Sequence, residues 1–235
     1  MVAALEELAD YADDLDQAND MYIIGGLQIC SAFLKHHDPD FQALACEIIG
    51  NAIQNNERIV QFAADTFVLK ELIKMVEGGS KEADTVRVKA LYALSCMVRG
   101  NEGALLKFNE LEGYNVLIIA LQSGVGKLRT KALFLISNIC ISFPDQCEVY
   151  YSMGVLEQVL AQLAPPAPGS PDLLTSLEII HSLGTECSGG LPSGTCEKLK
   201  KVSGWLEEGV HVEERAVCEK LLELCKRPGS AGVDR

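Results

Sequence analysis

Four pairs of side chains, each spaced four residues apart, are the best candidates for chemistry in this chain. They are Glu47 with Asn51, Tyr92 with Cys96, Phe134 with Asn138, and Glu178 with Ser182. On a helix that spacing puts both members on one face. No pair sets a nucleophile beside a base, and none gathers the ligands that a metal requires. Aromatics flanked by carboxylates and amides instead suit recognition: rings to anchor a partner and polar groups to orient it. Tyr92 and Phe134 carry two readings. Either they pack into the next repeat, or they stand side by side as a shallow aromatic ladder.

The remaining reactive residues lead away from catalysis. Ser123-Gly124-Val125-Gly126-Lys127 resembles a phosphate loop, but no glycine stands five positions before Gly126, and Leu128 occupies the place of a magnesium-binding hydroxyl. His36, His37 and Asp38 are adjacent at a helix end and point apart, with no cysteine nearby. The nine cysteines contain no CxxC pair. Cys30, Cys46, Cys96 and Cys140 lie on apolar helix faces, Cys218 and Cys225 read as core-facing, and Cys187 and Cys196 bracket a glycine loop without a basic partner. The expectation is reduced, buried thiols rather than a disulfide framework. An enzyme, a metal and a cofactor are all unexpected.

The polar pairs hang on a repeat. In Asp84–Arg99, DTVRVKALYALSCMVR, the residues Ala90, Ala93, Leu94 and Met97 follow the i, i+3, i+4, i+7 spacing of one helix face. Asp84-Thr85 offers short oxygens suited to an N-cap. Ala45, Ile48, Ile49 and Ala52 repeat the spacing upstream; Ala132, Leu135, Ile136 and Ile139 repeat it downstream, and Ser176, Ile179, Ile180 and Leu183 do so more weakly. Their first positions fall 45, 42 and 44 residues apart. A second apolar stretch precedes each, at Leu27–Leu34, Leu69–Val76, Tyr114–Leu121 and Leu156–Leu163, and shorter segments at 55–65, 101–110 and 144–152 separate the units. Pro144 suits the first turn of a helix. Three helices in each 42–45 residues predict an all-α, right-handed armadillo-repeat solenoid of about four repeats, each burying its apolar face against its neighbours.

The expected organisation is a single domain over 1–227. It has a cap at 2–20, repeats at about 21–65, 66–110, 111–152 and 153–195, a divergent C-terminal cap at 196–227 and a disordered tail at 228–235. The first helix is read over 2–16, with Leu5, Leu8, Ala12 and Leu15 on its apolar face and DQAND (16–20) ending it.

The 20 basic and 33 acidic residues give a net charge of −13, a poor match for a phosphate backbone. The first 34 residues hold seven acids and no Lys or Arg, whereas Arg87, Lys89, Arg99, Lys107, Lys127, Arg129 and Lys131 gather around the second and third repeats. No apolar run approaches the roughly 20 residues of a membrane span, and the acidic N-terminus does not read as a signal peptide. A cytoplasmic monomer that binds neither nucleic acid nor membrane is expected.

DTVRVKALYALSCMVR, KLRTKALFLISNI (127–139) and ALEELADYADDLDQANDMYIIGGL (4–27) together resemble the Hsp70-binding protein 1 family, over roughly residues 4–226. These are armadillo-type nucleotide exchange factors of heat shock protein 70 chaperones. The resemblance implies a concave side, lined by the long helices, that embraces lobe II of the chaperone ATPase domain and releases ADP. On this sequence that side maps to Glu47, Asn51, Val88, Tyr92, Cys96, Arg99, Thr130, Phe134 and Asn138. The rival is an armadillo adaptor holding an extended peptide in its groove. Such a groove wants a regular Trp/Asn ladder, and here Glu47 and Tyr92 stand at the Trp positions and Cys96 at an Asn position.

Overall fold

The computed structural model describes residues 2–54, 56–78, 83–165 and 172–226. They form fifteen α-helices and two 3₁₀ turns, with no strand among the described residues. Two compact units are present, Met1–Ala132 and Leu133–Arg235.

The first unit contains α1 (Val2–Tyr11), α2 (Leu15–Ile23), α3 (Gly26–Ala32), α4 (Pro39–Ile53), α5 (Glu57–Asp65), α6 (Phe67–Glu77), α7 (Asp84–Val98), α8 (Glu102–Glu110) and α9 (Gly113–Leu121). A 3₁₀ turn at Phe33–Lys35 extends α3. α10 (Gly126–Ser142) gives its first residues to this unit and the rest to the second. The second unit goes on with a 3₁₀ turn at Pro144–Gln146, then α11 (Cys147–Ser152), α12 (Val155–Gln162), α13 (Asp172–Glu186), α14 (Thr195–Ser203) and α15 (Val212–Leu224).

Helix starts follow from short polar side chains that accept from the unpaired amides of the first turn. Asp38 accepts from the amide of Asp40 ahead of Pro39, Asn56 from Ile59, and Asn101 from Ala104. The last two are Asn-Glu pairs that open equivalent short helices, α5 and α8. The apolar repeat positions meet in the cores: Ala45, Ile48, Ala90, Ala93, Leu94 and Met97 in the first unit, and Leu135, Ile136, Ile139, Ile179, Ile180 and Leu183 in the second, all buried. Ala132 is buried as well. In the first unit α4 packs between α1 and α7, and α6 supports α7; in the second α13 packs on α11, α12 and α15.

Three local expectations are corrected. DQAND does not break a helix: residues 16–20 lie within α2, and the chain turns earlier, at 12–14, because Asp14 accepts from the amides of Asp16 and Gln17 and starts a new helix. Leu15 therefore belongs to the opening of α2 and is 51% exposed rather than core-facing. Asp84 does not cap α7; Ala83 is the extended residue before the helix, and Asp84 lies in the first turn facing Arg87 at 3.8 Å. The thiols are not all unbonded. Cys196 and Cys225 are joined, their Cα atoms 5.9 Å apart, so Cys225 is a crosslink rather than core packing. Seven cysteines are free, six of them buried. The tail at 228–235 lies outside the described residues.

Candidate functional site

In the first unit the long helices α4 and α7 run against each other, and their polar faces are tied at three levels. Lys89 Nζ meets Glu47 Oε1 at 2.5 Å. The Tyr92 hydroxyl donates to Asn51 Oδ1 at 2.8 Å, with Gln54 Oε1 at 3.3 Å. The Asn51 amide nitrogen donates to the Ala9 carbonyl at 2.8 Å, which occupies an acceptor in the last turn of α1 and fixes which way the amide points.

A glycine makes this packing possible. The Tyr92 ring lies across Gly50, where a Cβ would stand 2.6 Å from ring carbon Cε1. A glycine inside a helix costs about 1 kcal/mol relative to alanine, and here the close approach of the ring is what that cost secures. Above the ring, Lys131 Nζ of α10 sits 5.1 Å from the centroid, a cation–π distance. Burial holds the Tyr92 phenol well above its ordinary range, with Cys96 adding to the effect, so the hydroxyl stays a donor. Burial also raises the Cys96 thiol, against the opposing hydrogen bond of Tyr92 and the charges of Arg99 and Lys131. Lys131 is held below its ordinary value, chiefly by burial.

The structure thus brings Glu47, Asn51, Tyr92 and Cys96 together. Val88 and Thr130 are half-buried on α7 and α10, and Arg99 is exposed at the end of α7. Tyr92 packs back onto the preceding long helix rather than into the following repeat, so neither sequence reading of this ring was complete. The periodicity missed Gly50, Gln54, Lys89 and Lys131. A glycine in the middle of an apolar helix face was the legible signal for the first, while the lysines needed the fold.

In the second unit the Phe134 ring is 45% exposed, and the Asn138 amide donates to the Phe134 carbonyl at 2.7 Å. Ser137 Oγ donates to Glu178 Oε2 at 3.3 Å. Further along, Ile141, Glu178, His181, Ser182, Val217 and Lys220 line a shallow cleft of about 160 Å³ between α10, α13 and α15. Among the described residues no group of three or more His, Cys, Asp or Glu could hold a metal, and no helix is long and apolar enough to cross a membrane.

Comparison with known proteins agrees with the repeat. Designed armadillo repeat protein YIII(Dq)4CqI superposes with a TM-score of 0.74 at 17% identity, covering 95% of this chain and 92% of that one. The armadillo-repeats-only protein of Plasmodium falciparum gives 0.69 at 14% identity, covering 88% and 95%. The fold is therefore an all-α armadillo solenoid. In sequence, Hsp70-binding protein 1 of Rattus norvegicus and that of Homo sapiens are each 32% identical over 99% of the chain. The chain spans 66% of the length of each. Hsp70 nucleotide exchange factor FES1 of Mycosarcoma maydis is 28% identical over 72% of this chain and 43% of its own. The model of the SIL1/FES1/HPBP1 C-terminal domain matches residues 17–142, more than half of the chain, and the protein belongs to that family.

Proposed function

We propose that this protein is a nucleotide exchange factor that binds the ATPase domain of a heat shock protein 70 chaperone and promotes release of ADP. The observation that carries the reading is membership of a family whose similar relatives are named for Hsp70 binding and nucleotide exchange. The surface chemistry supports it. α4 and α7 present a rigid face in which Glu47, Asn51 and Tyr92 are held by their neighbours, with Val88, Cys96, Arg99 and Thr130 around them. An ordered face loses little side-chain entropy on binding. In the second unit Phe134 is the exposed aromatic, with Asn138 beside it. Aromatics that become desolvated in an interface tend to carry its energy.

In this reading the partner surface is lobe II of the ATPase domain, and the protein acts as a non-enzymatic monomer in the cytoplasm. It speeds release by binding the opened nucleotide cleft more tightly than the closed one. The peptide-adaptor alternative fits less well. An asparagine ladder must leave its amides free for a peptide backbone, and Asn51 spends both ends of its amide on Ala9 and Tyr92.

Affinity for an isolated chaperone ATPase domain, measured with and without ADP, tests the proposal. Linkage requires ADP to weaken binding by about 5–150-fold. Equal affinity in both states would overturn exchange by this route, and no binding in either state would overturn the partner.

A further inference from the structure

The last two helices of the second unit bury little of their own surface. α14 buries Thr195, Leu199 and Val202, and α15 buries Cys218 and Leu221. The Thr195 hydroxyl is buried without a hydrogen-bond partner, a cost carried at the very start of α14. Next to it, Cys196 is bonded to Cys225, the residue that closes α15, so that one crosslink ties the first turn of α14 to the end of α15. Both of these cysteines are half-exposed. α15 in turn supplies Val217 and Lys220, one wall of the cleft whose other walls are α13 and Ile141, the latter 61% exposed.

We propose that Cys196 and Cys225 form a reversible thiol–disulfide site, served by a low-molecular-weight thiol/disulfide couple, that sets how firmly α14 is held against α15. In the oxidising direction the thiolate of one cysteine attacks a small disulfide, forming a mixed disulfide and expelling one small thiol. The second cysteine thiolate then attacks the protein-side sulfur, closing the Cys196–Cys225 bond and expelling the second small thiol. The protein gives up two protons and two electrons, and the small disulfide is reduced to two thiols. Excess small thiol runs both exchanges backwards. The other thiols of this unit do not compete for the reagent. Cys140, Cys147, Cys187 and Cys218 are buried, out of the reagent's reach. Burial pushes the Cys187 thiol up to about 12 and raises that of Cys218, while the hydrogen bond with Cys140 lowers that of Cys147, which burial still encloses.

The crosslink acts on α14 because α14 packs chiefly on α15, whereas α15 is also held by α13. When it is open, α14 is held by Thr195, Leu199 and Val202 and by the Cys218 Sγ contact to the Leu199 carbonyl at 3.5 Å. An effect on the chaperone partner rests on the function proposed above; the effect on α14 does not.

The test equilibrates the full chain in buffers of reduced or oxidised glutathione, identifies the crosslink by peptide mass mapping, and follows amide hydrogen exchange. In the oxidised buffer, exchange over 195–203 should slow by about tenfold or more, with α4 and α7 unchanged. Cys196→Ser and Cys225→Ser should each fold and abolish that dependence. Equal exchange rates in the two buffers with the crosslink verified, or oxidation that joins other cysteines, would overturn the proposal. Binding of the chaperone ATPase domain is measured in the same samples. Redox-dependent exchange without binding in either buffer would support the thiol site and count against the proposed function alone.

Discussion

The α4–α7 face of the first unit and the α14–α15 pair of the second are both helix pairs, held by different means. On α4 and α7, core contact is backed by an ion pair, a shared amide, and a tyrosine laid on a glycine, so polar surface and apolar interior enforce the same arrangement. On α14 and α15 few residues are fully buried, one hydroxyl is buried unpaired, and a covalent bond adds to the packing between the two helices. A solenoid distributes its stability repeat by repeat, so a helix pair that buries few residues opens more readily than a well-packed one. A rigid face suits recognition, and a weakly packed pair suits regulation.

The contrast breaks most severely at the core. Ala90→Asp buries a carboxylate with no partner in a fully buried alanine site, and roughly 3–5 kcal/mol should be lost. Thermal or denaturant unfolding checks this; a variant melting within a few degrees of the parent would show that α7 does not face the core as described.

Opening the terminal crosslink ranks next. By the chain-entropy account, a loop closed over a separation of 29 residues is worth about 3.6 kcal/mol, so Cys225→Ser should lower the stability of α14 and α15. Protection of α4 and α7 should not change. Exchange lost evenly across both units would erase the distinction drawn here.

A smaller effect probes the tyrosine–glycine contact. Gly50→Ala should gain about 1 kcal/mol of helix propensity and lose more than that by displacing the Tyr92 ring, since overpacking costs roughly 1–3 kcal/mol. The net result should be a slight destabilisation that disappears in a Tyr92→Ala background, read as a coupling energy in a double-mutant cycle. A stabilised single variant would mean that the ring does not rest there.

The smallest effect belongs to the cleft. Burial, then Lys220, hold the His181 imidazole below its ordinary 6.5, with Glu186 pulling the other way. The unfolded chain then takes up its proton at higher pH than the folded chain does. Stability is full above pH 6.5 and falls as pH drops through the folded value. Below that point the parent should lose more melting temperature than His181→Gln, and parallel profiles would refute the assignment.

Most of the fold was legible in the sequence because helix faces declare themselves by spacing. Ala90 to Met97 and its copies told where the cores lie, and Asn56 and Asn101 preceded their helices as caps should. Boundaries were harder. DQAND is polar enough to read as a break, yet Asp14 two residues earlier captures the free amides and restarts the helix. The candidate face was half legible. Spacing placed Glu47, Asn51, Tyr92 and Cys96 together, but their partners Ala9, Lys89 and Lys131 lie on other helices, and no local pattern reveals a contact across 42 residues of chain. The Cys196–Cys225 bond was invisible for the same reason, since only the folded hairpin brings the two ends within reach.

The central claim is exchange itself, and the release of fluorescent ADP from an isolated chaperone ATPase domain measures it most directly. The parent protein should accelerate release in a saturable way. Phe134→Ala, with an unchanged melting curve, should require a much higher concentration for the same acceleration, having lost about 2 kcal/mol of binding or more. Folded parent protein that binds the domain yet leaves the release rate unchanged would contradict the account.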